Sequence, residues 1–298
     1  MESIDLVLKW LTLHDASGFS KDEVQFNFDL SKGVSCIAAK NYNEGDIIFS
    51  IPRKCLIGLK VASSNASLLG FVRKVAKAAD IDQSILTSEF AIFLYMIEQL
   101  YQQSSFHHAY FQSLSTSNIP NIMAWPEELQ NCFVGTNICD NISKADTNLE
   151  SKLIFLKDII RFVDLNIGEM KWKGEPSYIQ HLEVLRAINK RTLLWAWSHY
   201  LSRRYPGHFS DDTCFTSATS TSATSVASST TTALAATGMN SDELSTTYRE
   251  DGFGNIGTLV PLLDILNHNT DHDWLRFALD PEMLHVVCNY PVAQVRTC

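Results

Sequence analysis

Cysteine is scarce in this chain and scattered. The seven cysteines among 298 residues (Cys36, Cys55, Cys132, Cys139, Cys214, Cys288, Cys298) include no Cys-x-x-Cys pair, which argues against a disulfide framework or a structural zinc cluster. Reduced thiols in a cytoplasmic or nuclear protein are the expectation. Long apolar runs are also missing. The longest, Phe90 to Ile97, is far short of the roughly 20 residues that a membrane-spanning helix needs. Basic charge is in deficit, with 24 Lys and Arg against 33 Asp and Glu, a net charge of -9. No basic run offsets that balance, so a protein that tracks nucleic-acid phosphates is not expected. The first residues, Met1-Glu2-Ser3-Ile4-Asp5, lack the basic start of a secretory or transit peptide.

What the chain does have is apolar content, 45%, enough to bury a large core. Residues 1–19 read as an N-terminal helix with Ser3 as its cap and Leu6, Val7, Trp10 and Leu11 on one face. Between Val24 and Ile57, clusters of β-formers (Gln25–Phe28, Cys36–Ala39, Asp46–Ile51) alternate with turn residues, which predicts short strands ending at Pro52. Helical periodicity dominates from residue 86 to 203, with segments at Thr87–Tyr101 (capped by Ser88), Leu153–Asn166, Tyr178–Ala187 and Arg191–Arg203. Tyr110, Trp125, Trp195 and Trp197 are assigned to the core of that stretch.

Residues 204–256 contain a tract, Thr213 to Thr247, of Ser, Thr and Ala with few large apolar side chains. Such a tract cannot offset its ordering entropy and reads as a disordered surface insertion. Removing most of it is expected to leave the melting temperature nearly unchanged; a large drop in a thermal scan would mean that it is packed. Strand texture returns at Gly257–Pro261 and Leu284–Cys288. If the first and last strand groups share a sheet, the helices are an insertion within a β domain.

Three groups of residues carry a more specific pattern. The first is Gly33-Val34-Ser35-Cys36-Ile37-Ala38-Ala39, then Asn43-Glu44-Gly45-Asp46 and Ser50-Ile51-Pro52. The second is Ser105 to Leu114, with Leu194-Trp195-Ala196-Trp197 and Ser202-Arg203. The third is Leu259-Val260-Pro261-Leu262-Leu263-Asp264-Ile265-Leu266-Asn267-His268. In this order they resemble the SET-domain methyltransferases of the Rubisco large-subunit lysine methyltransferase-like class. The fold that this resemblance implies is α+β, a β-rich SET fold interrupted by a helical insertion. Residues 20–85 and 257–298 would then be its N-terminal and partial C-terminal parts, and 86–203 the insertion.

The resemblance implies S-adenosylmethionine as cofactor, a protein with a target lysine as partner, and neither nucleic acid nor membrane. It assigns Gly33, Val34, Ser35, Asn267 and His268 to the cofactor and Arg203 to the substrate. Ser35 departs from the family, which has a second glycine there. Read without the resemblance, Gly33 is a turn former, Asn267-His268 a capped strand end, and Arg203 a helix-end cation. Asp264, His268 and His272 recur at a spacing of four, as metal ligands on one helix face would, but Pro261 argues for a strand and loop, and no metal is expected.

The family's pattern continues beyond Asn-His with a Gly-Glu-Gln turn and a Tyr-Gly pair whose tyrosine lines the lysine channel. Here Ala293 to Cys298 stands in that stretch, and Tyr290 comes too early. A C-terminally truncated SET domain is therefore expected, with its closing segment missing and no catalytic residue assigned. Two other readings stay open: a protein-histidine methyltransferase of the actin type, and a non-catalytic SET-like module that binds protein.

Overall fold

The computed structural model describes residues 2–29, 33–64, 67–114, 116, 119, 121–166, 177–205, 209, 256–265 and 275–293. The chain forms two compact units. One consists of residues 1–57 and 205–298, the other of residues 58–204. The helical unit is thus inserted into the strand-bearing one, and it begins at Gly58 rather than at residue 86.

In the discontinuous unit, helix α1 (Glu2–Leu13) precedes strands β1 (Val24–Asp29), β2 (Gly33–Ala38) and β3 (Ile47–Pro52). Ser3 lies inside α1, not at its cap, because the helix starts one residue earlier. Val7, Trp10 and Leu11 are buried as the periodicity predicts, together with Ile4, whereas Leu6 of the predicted face is exposed. β1 and β2 form an antiparallel pair, with Asn27 opposite Ser35 and Asp29 opposite Gly33. The rest of this unit comes from beyond the helices: β5 (Thr258–Leu259), β6 (Leu275–Leu279) and β7 (Met283–Cys288). β3, β7 and β6 form a three-stranded antiparallel sheet in that order. First and last strand groups therefore share a sheet, the condition under which the helices are an insertion.

Local chemistry fixes this sheet. The Ser50 hydroxyl is 2.8 Å from His285 Nδ1 on the facing strand, and His285 Nε2 is 2.8 Å from Asp280 Oδ2. Asp280 Oδ1 accepts the N–H groups of Glu282 and Met283, closing the turn between β6 and β7. These bonds hold the Asp280 carboxyl below the usual carboxylate range, the His285 bond contributing most. On its other side β3 meets the Ser17–Phe19 segment: Ser17 and Ser50 exchange backbone hydrogen bonds, and the Phe19 ring stacks 5.0 Å from that of Phe49. Gly18 makes this approach feasible, with φ +93° and a position where a Cβ would lie 1.8 Å from the Ile48 carbonyl oxygen.

In the helical unit the chain runs through α2 (Leu59–Ala62), α3 (Leu68–Ala78), α4 (Ser88–Tyr101), α5 (His108–Ser113), α6 (Glu127–Gln130), α7 (Asn137–Asn166), α8 (Ser177–Ala187) and α9 (Lys190–Arg203). α2 and α3 fall in the 20–85 range assigned to the N-terminal part of the SET domain, in a stretch where the sequence pattern assigns no element. The cap of α4 is Thr87, whose hydroxyl accepts from Phe90 N–H at 3.2 Å, in place of Ser88. α4 is buried nearly all round because α2, α3, α5, α8 and α9 all pack on it. Tyr110 and Trp195 belong to this core, but Trp125 does not: it is 46% exposed.

Two pairs of titratable groups lie inside the helical unit. Glu98 Oε1 on α4 lies 2.9 Å from His181 Nε2 on α8 and accepts the Leu68 N–H at the start of α3 at 3.0 Å. Lys152 on α7 is buried beside Glu89. Burial raises the Glu89 carboxyl and lowers the Lys152 ammonium, and their mutual attraction opposes both shifts.

Candidate functional site

Gly33, Val34 and Ser35 open β2. Ala39 N–H donates to the Glu23 carbonyl, and register then makes Ser35–Asn27 and Gly33–Asp29 the hydrogen-bonded pairs of this ribbon. The backbone groups of Val34 and Cys36 consequently point away from β1. Among the described residues β2 pairs with no other strand, so that edge presents main-chain donors and acceptors. Ser35, in place of the family's glycine, is engaged locally: its hydroxyl donates to the Asn27 carbonyl at 3.4 Å. Cys36 is no nucleophile here, since burial pushes its thiol up to about 12.

Asn267 and His268 lie outside the described residues, as do His272 and the whole Thr213–Thr247 tract. The chain that leads to Asn267 is described as far as Ile265, and it is held tightly. Leu259 exchanges backbone bonds with Ile57. Leu262 follows with φ 78°, a left-handed conformation that costs a non-glycine residue of order 1–3 kcal/mol, and its side chain is fully buried. A 3-10 turn, Leu263–Ile265, comes next. The Tyr205 hydroxyl donates to the Leu263 carbonyl at 3.1 Å. Burial, and then the charge on Asp264, push the Tyr205 phenol upward, so it remains a neutral donor.

Tyr205 and Phe209 both fall in the range 204–256 assigned to a disordered loop. The structure instead packs them against Phe277 of β6, at 5.6 and 5.2 Å between ring centroids. Sequence reasoning missed Tyr205 as the anchor of the Asn267 lead-in. The signal was present in an aromatic pair, Tyr205 and Phe209, just before the polar tract.

Arg203 ends α9 in the helical unit. Its Nε donates to His199 Nδ1 at 3.2 Å, and His199 is buried against Trp195. The guanidinium is thereby oriented by the core and does not simply trail into solvent as a helix-end cation. The depression lined by Tyr101, Gln102, Gln103, Gln180, Glu183 and Val184, about 260 Å³, contains none of the candidate residues.

The architecture is that of a SET domain, α+β with a helical insertion. The chain aligns with the SET domain of LSMT bound to lysine and AdoHcy over 98% of its own length, at a TM-score of 0.57 and 15% identity. It aligns equally with Rubisco LSMT bound to AdoMet (98% of the chain, TM-score 0.54, 15% identity), and with Rubisco LSMT bound to sinefungin and monomethyllysine (99%, 0.54, 14%). The chain spans about half the length of these structures, 51 to 52%. The sequence matches no family profile and no characterised protein.

Proposed function

We propose that this chain binds S-adenosylmethionine and belongs to a protein-lysine N-methyltransferase. The observation that carries this reading is the SET fold, matched over 98% of the chain to structures bound to lysine and AdoHcy or to AdoMet. The residues present suit the cofactor. The outer edge of β2 at Val34 offers main-chain groups to a ligand that is itself rich in donors and acceptors, and Gly33 adds no side chain beside them. Asn267 can donate and accept together, which fits a zwitterionic amino-acid end. His268 is assigned to the same ligand. Arg203 is assigned to the polypeptide substrate.

When bound, the cofactor supplies an electrophilic methyl on a sulfonium. The ε-amine lone pair forms the new N–C bond as the C–S bond breaks, leaving the thioether, and the amine proton passes to solvent. A solvated lysine, with a pKa near 10.4, holds that lone pair as N–H, so the protein's task is to desolvate and align the amine.

Isothermal titration with S-adenosylmethionine tests the reading. Asn267→Ala is expected to weaken binding about 10- to 100-fold, the loss of hydrogen bonds to a charged group. His272→Ala, outside the resembling motif, should change it less than about twofold. Equal losses, or binding that requires added zinc, would replace this assignment by a metal site. Radiolabelled transfer into cell extract then distinguishes the acceptors, since labelled histidine in place of lysine would assign the chain to the actin-type branch.

A further inference from the structure

Trp125 is exposed where the sequence assigns it to the core, and it is not alone. Leu129 (51% exposed), Val134 (67%) and Ile138 (44%) follow within thirteen residues. They are carried by the segment from the Ile122–Ala124 turn through α6 to the first turn of α7.

This segment is built, not loose. Gln130 on α6 donates to the Trp125 carbonyl at 2.7 Å and to the Met123 carbonyl at 3.4 Å. The Trp125 ring lies 6.4 Å from that of Phe133. The apolar side chains are thus presented on a backbone that its own hydrogen bonds define. A rigid aromatic anchor of this kind loses little entropy on binding.

The charge around them has one sign. Residues 119–151 contain Glu127, Glu128, Asp140, Asp146 and Glu150 against a single base, Lys144. Asp146 and Glu150 are neutralised by Lys190, at 2.6 and 2.9 Å. Glu127, Glu128 and Asp140 are exposed and have no ion-pair partner among the described residues.

We infer that the 122–140 face is a docking surface for a basic amphipathic segment of a partner protein, with apolar side chains seated on Trp125 and Leu129 and cations meeting Glu127, Glu128 and Asp140. A second copy of this chain fits poorly, because a symmetric contact would set these acids against each other in a protein already at -9. An anionic membrane surface is repelled for the same reason. The inference does not depend on cofactor binding or methyl transfer.

The probe is a synthetic peptide with leucine and lysine at helical spacing, titrated into the full chain and followed by fluorescence anisotropy. The controls are the same peptide with glutamate for lysine and a lysine peptide whose leucines are scrambled out of phase. Only the first should bind, and more weakly as salt rises. Trp125→Ala combined with Leu129→Ala should weaken it at least about tenfold, as loss of an aromatic anchor does. Glu127→Gln with Glu128→Gln, exposed changes that leave the fold intact, should weaken it about threefold and flatten the salt dependence. If the Trp125 variant unfolds, Leu129→Ser with Val134→Ser asks the same question at exposed positions. Equal binding of the glutamate peptide, no binding of the lysine peptide, or unchanged affinity in both variants would overturn the proposal. So would dimerisation in sedimentation velocity that Trp125→Ala abolishes, since the occupant would then be a second copy.

Discussion

His181→Ala is expected to be among the most destabilising single substitutions in the helical unit, at about 3–5 kcal/mol. The reason is what it leaves behind. The Glu98 carboxylate is 5% exposed and receives His181 Nε2 at 2.9 Å and the Leu68 N–H at 3.0 Å. Without the imidazole, the buried carboxyl keeps only the Leu68 N–H and the longer bond from Gln102 Nε2 at 3.5 Å. The three helices that meet there, α3, α4 and α8, lose their shared polar contact together. Urea denaturation should show the loss as a lower midpoint with an unchanged slope, the sign of lost stability and not of a looser native state. Replacing both partners by leucine should cost less than His181→Ala plus Glu98→Ala, because it removes the charge along with its partner. The Leu68 N–H would still be orphaned, so some loss, about 1–3 kcal/mol, must remain. Strict additivity would mean that the pair does not act as a unit.

Gly18→Ala should be comparably severe, for a steric reason. The added Cβ would meet the Ile48 carbonyl oxygen at 1.8 Å and its carbon at 2.9 Å, both of them backbone atoms of β3. No side chain can rotate away to relieve this, and φ +93° already disfavours alanine. Strain and overpacking together predict a cost on the order of 3 kcal/mol. Gly45→Ala is the matched control. It has a similar φ, +88°, with nothing within 4 Å of the added carbon, so it should cost only about 1 kcal/mol. Equal melting shifts for the two variants would show that conformation, and not the clash, decides the outcome at position 18.

Some of this architecture was legible from pattern alone. β3 and β7 carry β-formers on either side of the helices, but only the structure shows that they pair. α4, α8 and α9 announced themselves by apolar spacing, to within a residue or two. The first half of α7 was hidden because Asn137 to Asn148 is polar and mostly exposed; burial begins at Leu149. β6 was overlooked although Leu275, Phe277 and Leu279 alternate, because the run is only five residues long and the strand lies at the edge of its sheet. α3 was overlooked although Ser67 caps it and Leu68, Leu69, Val72, Val75 and Ala76 are spaced as a buried face.

The site was legible in a different way. Gly33 and Arg203 are candidates on motif alone, and the structure adds what a motif does not carry: the outward edge of Val34, and the His199 bond that orients the guanidinium. The aromatic pair hinted that Tyr205 is packed, but not its hydrogen bond to a carbonyl 58 residues away. Trp125 was misread because large aromatics are usually buried, and the rule says nothing of those that are displayed.

The Ser50–His285 contact joins residues 235 positions apart. On a ribosome adding about 5–20 residues per second, β3 therefore emerges roughly 10–50 seconds before the strand that completes its sheet. The helical unit between them is a continuous stretch and can collapse on its own while the nascent β3 waits with an open edge. This protein is thus exposed to holdase chaperones and to premature pairing during its own synthesis, and the rate at which the inserted helices are translated sets the length of that exposure.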